Sequence, residues 1–188
     1  MRQPGIVVWL TGLSAAGKTT ISDVVFAELT SRDIAVEQLD GDKVRQYLSP
    51  TLTYTPADRE ENVTRISHLA VLLAKHGVVV LVSAISPFRK GRDEARERSG
   101  VFLEVYVKAP LALCEQRDCK GLYKKRRLGL VTDFTGIDHA YEEPEAPEVI
   151  CYTDRELVAE SAARVLKAID AVLQSAADLS PMLNSRSC

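Results

Sequence analysis

The octapeptide Gly12-Leu13-Ser14-Ala15-Ala16-Gly17-Lys18-Thr19 fills every specified position of the phosphate-binding pattern G-x-x-x-x-G-K-[ST]. The apolar run Ile6-Val7-Val8-Trp9-Leu10 just before it reads as a buried strand, and the chain from Lys18 onward reads as a helix. A strand, a glycine loop and a helix N-terminus in that order make an anion cradle, because backbone N–H groups and the helix dipole converge on the phosphates. Lys18 is expected to reach the outer phosphates of a nucleoside triphosphate, and the Thr19 hydroxyl to sit on Mg²⁺. Such a motif demands an α/β fold with its chemistry at the carboxyl ends of the strands.

The remaining chain suits that demand. With 188 residues, 46% of them hydrophobic, it fits one α/β domain better than two. A single kinase-sized domain is expected over residues 1–176, with 177–188 as a frayed tail. The formal net charge of −2 argues against a nucleic-acid partner. No apolar run approaches a membrane span and no signal-peptide pattern opens the chain, so the expected location is cytoplasmic, with no membrane partner. Cys114, Cys119, Cys151 and Cys188 form no C-x-x-C pair and have no nearby histidine set, which predicts free thiols.

Strands are expected at Ile34–Leu39, Val78–Val82, Val101–Val107 and Val149–Tyr152. Helices are expected at about Lys18–Ser31, Ala57–Lys75, Lys90–Arg98, near Pro110, and at about Glu156–Ala176. In the second of these, Val63, Ile66, Ala70 and Leu73 form one apolar stripe. In the last, Leu157, Ala162, Val165, Ile169 and Val172 are expected to face inward. The pattern predicts a doubly wound, mainly parallel five-stranded sheet with helices on both faces. Residues 118–148, rich in Gly, Pro and charge, read as an extended mobile segment, and Lys120, Lys124, Lys125, Arg126 and Arg127 within it suit a lid that closes over phosphates.

A phosphate-binding loop alone does not separate kinases from other nucleotide-binding proteins. No N-K-x-D stretch is present to read guanine, and Val78–Val82 ends without the acidic residue of a hydrolytic site. Asp40 and Asp42 instead lie together at the end of the second strand, where one carboxylate could meet Mg²⁺ and the other an acceptor hydroxyl. Arg45, Arg59, Arg89 and Arg92 are cations near strand ends, although each taken alone reads as part of a solvated helix face.

The blocks Gly12-Leu13-Ser14 with Gly17-Lys18-Thr19-Thr20, Leu39-Asp40-Gly41-Asp42 with Arg45, and Asp58-Arg59-Glu60-Glu61-Asn62 occur in order. They are followed by Ile85-Ser86-Pro87-Phe88-Arg89, Arg117-Asp118, Lys120-Gly121-Leu122-Tyr123-Lys124-Lys125, Phe134-Thr135-Gly136-Ile137-Asp138 and Tyr141-Glu142. From Ile6 to Tyr152 the chain thereby resembles the adenylylsulfate kinases, a family with the P-loop NTPase fold. The resemblance implies transfer of the ATP γ-phosphoryl to the 3′-hydroxyl of adenylyl sulfate, in sulfate activation. It implies that Gly12 to Thr20, with Ala15 and Ala16 among them, hold ATP, with Arg117 near the adenine. Asp42, Arg45, Arg59, Asn62, Ile85, Ser86, Lys124, Phe134 and Thr135 match positions around the acceptor. Tyr54 stands where the family usually has Phe, and with Phe134 it is a natural platform for an adenine ring. Lys18, Asp42 and Ser86 match positions with catalytic assignments; the serine is phosphorylated in some members, although direct transfer requires no phosphoserine. The metal is expected at Thr19 and Asp40. A homodimer and ATP sulfurylase as a functional partner are further implications.

The chain departs from the family pattern at Ala15, usually Gly, and at Thr51-Leu52-Thr53-Tyr54, usually Asp-Leu-Gly-Phe. It departs again at Cys119, His139 and Ala140. Two other readings remain open on the residues: a kinase of the same fold acting on another hydroxyl, and a catalytically silent nucleotide-binding subunit.

Overall fold

Alternate residues of the first strand bury against opposite sides, and this divides the molecule into layers. In the computed structural model, which describes residues 3–184, β1 (Ile6–Thr11) is fully buried. Ile6, Val8 and Leu10 join one core and Val7 and Trp9 the other. A strand that reads as apolar throughout must be covered on both faces, the hallmark of a parallel sheet. The elements that follow are α1 (Lys18–Ser31), β2 (Val36–Asp40), α2 (Gly41–Leu48), α3 (Pro56–Lys75), β3 (Val79–Ser83), α4 (Arg89–Arg98) and β4 (Phe102–Lys108). The chain continues through α5 (Leu111–Arg117), α6 (Leu122–Arg127), β5 (Val149–Tyr152) and α7 (Val158–Asn184).

All five strands run parallel in the order β2-β3-β1-β4-β5. Helices α1 and α7 supply Ile21, Val25, Leu29, Val165 and Ile169 to one core, while α3 and α4 supply Val63, Ile66, Ala70 and Ala95 to the other. The chain is therefore a doubly wound α/β protein with the P-loop NTPase fold. Because β1 lies between β3 and β4, the loop leaving its carboxyl end opens at the switch of strand order, where such sheets place their ligands.

Several expectations are corrected. β2 starts at Val36 rather than Ile34. Helices α2 and α6 were not anticipated. The segment 118–148 is not excluded from the core: Tyr123 and Phe134 are buried in it. Leu157, expected to face inward, is 72% exposed, since it precedes the first turn of α7. Helix α7 runs to Asn184 rather than ending near Ala176, so the tail expected at 177–188 is helical through Asn184; residues 185–188 lie outside the described residues.

Candidate active site

The donor side is built from β1 outward. Gly12 has φ 150° and sits so close to β4 that a Cβ would lie 2.3 Å from the Val107 carbonyl oxygen, which restricts this position to glycine. The loop then turns through Ala15 at φ 59° and Gly17 at φ 105° into α1. Lys18 folds back over the loop, its Nζ donating to the Gly12 carbonyl at 2.9 Å and the Leu13 carbonyl at 2.7 Å. Burial of this ammonium lowers its pKa to about 8, against the opposing attraction of Asp42. Thr153, just beyond β5, supports the loop from the far edge of the sheet by donating to the Ala16 carbonyl at 2.8 Å. Arg117 is fixed on the same threonine, donating to its hydroxyl at 3.0 Å and its carbonyl at 2.6 Å. Tyr123 donates to the Ser14 carbonyl at 3.1 Å.

Asp40 joins the two sides. Its Oδ1 caps α2 by accepting from the backbone N–H groups of Asp42 and Lys43, at 3.0 and 3.3 Å. Its Oδ2 accepts from the Thr19 hydroxyl at 3.2 Å. Two hard oxygen donors therefore stand side by side at the foot of the phosphate loop, a donor set suited to Mg²⁺ with phosphate oxygens completing its shell. Beyond them, Asp42 is more than half exposed and pairs with Lys120 at 2.5 Å. An ion pair this open to solvent contributes only about 0–1 kcal/mol and is readily exchanged.

One cavity of about 700 Å³ connects these groups to the acceptor side. Of the expected residues, Ser14, Ala15, Gly17, Lys18, Thr19, Thr20 and Arg117 line its donor half. Asp40, Asp42, Tyr54, Arg59, Ile85, Phe134 and Thr135 line the remainder. The Tyr54 ring is held by two guanidinium groups, Arg45 at 4.8 Å and Arg59 at 5.5 Å from its centroid. Arg59 also donates to the carbonyl oxygens of Tyr54 and Asp133, tying α3 to the turn that carries Phe134. That turn is closed by Asp133 against His139 at 2.9 Å, and by Asp138, which accepts from the Phe134 N–H at 2.8 Å. Arg126 holds the Asp138 carboxyl down at about 2. Phe134 packs edge-on against Tyr123 at 4.8 Å. Ser83 Oγ and Thr135 Oγ1, both in the cavity lining, are buried without a hydrogen-bond partner, as is Asn62 Oδ1 one helical turn from Arg59. Buried polar atoms without partners are costly, so Ser83 and Thr135 are places in the lining where a polar ligand could supply one, while Asn62, an expected acceptor residue, stands outside the lining.

Other expected residues stand apart from the lining. Gly12 and Ala16 shape the loop from beneath, and Leu13 faces a smaller neighbouring cavity. Arg45 spends its guanidinium on the Thr53 carbonyl, at 2.6 Å, and on the Tyr54 ring. Lys124 lies outside the lining, where its neighbour Lys125 takes part. The Ser86 hydroxyl is turned into the protein, accepting from Trp9 Nε1 at 2.8 Å and donating to the Ala84 carbonyl at 3.3 Å. Arg89 and Arg92, read as available cations, are both committed elsewhere. Arg89 donates to the Glu143 carbonyl and pairs with Glu145, while Arg92 is buried on Glu104. Sequence reasoning missed Thr153, whose position after β5 carries no local signal, and the pairing of Lys120 with Asp42. Cys114, Cys119 and Cys151 are free thiols, with Cys119 at the cavity; Cys188 lies outside the described residues. Among the described residues, no helix is long and apolar enough to cross a membrane.

The chain is similar to known proteins over most of its length. The family model for adenylylsulphate kinase matches residues 4–152. An adenylyl-sulfate kinase of Synechococcus sp. (strain JA-3-3Ab) is 54% identical over 175 residues, which is 93% of this chain and 96% of the relative. One of Gloeothece citriformis (strain PCC 7424) is 52% identical over 170 residues, 90% of this chain and 97% of the relative. Among solved structures, the APS kinase of Mycobacterium tuberculosis in complex with AMPPNP and APS superposes with a TM-score of 0.85. It is 42% identical, and the match covers 89% of this chain and 99% of that one.

Proposed function

The chain belongs to the adenylylsulphate kinase family, and we propose from that premise a complete assignment of its site. It is an ATP-dependent kinase that phosphorylates the 3′-hydroxyl of adenosine 5′-phosphosulfate, giving 3′-phosphoadenylyl sulfate and ADP, a step of sulfate assimilation. The observation that carries the assignment is the continuity of one cavity from Lys18 and Thr19, past Asp42, to Tyr54 and Phe134. A nucleoside triphosphate and a second nucleotide can meet in it end to end.

Phosphoryl transfer asks for positioning and charge stabilisation more than for covalent chemistry by the protein. ATP lies along the loop from Gly12 to Thr20, with Arg117 beside its base. Lys18, already aimed across the loop, exchanges the Gly12 and Leu13 carbonyls for phosphate oxygens and stabilises the charge on the moving group. Thr19 and Asp40 would hold Mg²⁺, which would supply further neutralisation of the phosphates. The acceptor lies between Tyr54 and Phe134 with Arg59 and Asn62 orienting it and Ile85 beneath. Arg45 acts on it through the Thr51–Tyr54 loop. Asp42 leaves Lys120, takes the proton of the 3′-hydroxyl, and the 3′-oxygen forms its bond to the γ-phosphorus as the bond to the ADP oxygen breaks. The proton then passes from Asp42 to water. Ser86, facing Trp9, takes no part in the bond changes, so transfer is direct.

Residues 118–148 act as the lid, with Lys120, Lys124 and Lys125 near the phosphates. A homodimer, a cytoplasmic location and functional pairing with an ATP sulfurylase complete the proposal.

The test is an ADP-release assay with MgATP and adenylyl sulfate, with AMP as the control acceptor and the product checked for 3′-phosphorylation. Turnover with adenylyl sulfate alone supports the assignment. Tight ATP binding without such turnover would transfer the chain to another acceptor or to a silent role.

A further inference from the structure

Arg92 lies on α4, in a sequence so charged that the helix reads as solvated, yet it is 2% exposed. Burying a guanidinium is costly unless it is paired and hydrogen-bonded, and here each of its three nitrogens donates a hydrogen bond. Nε donates to Glu104 Oε1 on β4 at 2.7 Å, Nη1 to the Ser86 carbonyl at 2.6 Å, and Nη2 to the Glu142 carbonyl at 2.7 Å. The Tyr141 ring lies 5.7 Å from its centre.

The two carbonyls belong to segments with different duties. Ser86 follows Ile85, which lines the cavity, and holds φ 41°, a left-handed conformation that a residue with a Cβ keeps only when its surroundings impose it. Glu142 stands near the end of the 118–148 segment, and its N–H returns to the Pro87 carbonyl at 2.9 Å. Arg92 is thus one rigid fork joining the loop under the acceptor to the segment that covers it, with Glu104 fixing the fork's direction. Neighbouring Arg96 belongs to the same charge network, through Glu104 at 3.5 Å and Glu148 at 2.6 Å, but touches neither carbonyl.

We propose that Arg92 is a positioning residue for the acceptor nucleotide, acting through the Ser86 and Glu142 carbonyls to set the height of Ile85 and the seat of the lid. The inference rests on the assignment of adenylyl sulfate as acceptor. A lysine at this position keeps the charge against Glu104 but cannot reach three acceptors in a fork.

The experiment compares wild type, Arg92→Lys, the charge-neutral pair Arg92→Met with Glu104→Gln, and Arg96→Gln as a network control. For each, KM for adenylyl sulfate, KM for ATP, kcat and Tm are measured at a temperature where the variant is folded. Both Arg92 variants are expected to raise KM for adenylyl sulfate by about tenfold or more while KM for ATP stays within about twofold. Arg96→Gln should lower Tm without that split. If both KM values stay unchanged or rise together in the Arg92 variants, or if Arg96→Gln gives the same split, the positioning role is overturned. The neutral pair keeps the test decisive if Arg92→Lys does not fold, because it removes both tethers without leaving an unpaired buried charge. Wild-type turnover on adenylyl sulfate is read separately, so failure of the substrate assignment is not mistaken for failure of this one.

Discussion

Trp9 Nε1 donates to Ser86 Oγ at 2.8 Å, with both side chains buried, so the serine hydroxyl is engaged inside the sheet rather than aimed at a phosphate. Replacing Ser86 by Ala should leave direct transfer working while stranding the indole N–H, at a cost of about 1–3 kcal/mol. Thermal unfolding should report the loss of stability, and intact-mass analysis of enzyme caught in turnover should find no phosphate on wild-type Ser86. Stoichiometric phosphoserine at that position would refute the direct route.

Lys18 makes the empty protein respond to alkali. Its pKa falls from 10.5 in an unfolded chain to about 8 in the fold, so between those values the unfolded state binds the extra proton. Stability therefore rises as pH increases from about 8 to 10.5, by as much as ~3 kcal/mol, because neutralising the amine removes the cost of burying its charge. Urea unfolding across that window should show the rise in wild type and a flatter profile in Lys18→Met. ATP affinity should move the opposite way, weakening above pH 8 as the ammonium is lost.

Ala15 holds φ 59° in the middle of the phosphate loop. A Cβ in this region costs roughly 1–2 kcal/mol, whereas glycine adopts it freely. Ala15→Gly should stabilise the empty protein by about 0.5–1 kcal/mol after its greater unfolded-state entropy is counted. Calorimetry would detect the change, and an unchanged or lower Tm would mean that the loop does not feel the strain.

Asp42 lines the cavity between Lys18 and Tyr54, and its carboxylate is held by the solvent-exposed pair with Lys120. Asp42→Asn should lower kcat by about 10²–10⁴, the usual contribution of a general base, with ATP binding preserved. Lys120→Ala should leave the fold's Tm within about 1 kcal/mol equivalent of wild type, since so exposed a pair contributes little. Rate measurements on Asp42→Asn falling less than tenfold would remove Asp42 from the proton transfer.

Strands β1 and β3 and helices α1, α3 and α7 were legible because their apolar patterns are long, whereas α4 was legible only as a charged segment between two strands. Helix α1 matches its expected limits at Lys18 and Ser31, and β5 at Val149 and Tyr152. Helix α2 was hidden because Val44 is its one buried side chain and its cap, Asp40, reads equally well as a metal ligand. Helix α6 was hidden by four consecutive basic residues around a single buried Tyr123. In the site, the phosphate loop was legible since its residue types are set by local geometry. Arg92 and Thr153 were not, because each derives its role from partners far away in the chain: Glu104 and Glu142 for the first, Ala16 for the second. A helix as charged as α4 gives no warning that one of its arginines is inside.

Asp40 offers one oxygen to the end of a helix and the other toward the hydroxyl of Thr19. Asparagine caps a helix about as well as aspartate, so exchanging a single oxygen for an amide would keep the first duty and turn the second from an acceptor into a donor. The carboxylate is therefore a natural place for a separation-of-function allele, with the architecture intact and the proposed Mg²⁺ contact inverted. Two selective pressures that are usually spread over different side chains are here superimposed on one.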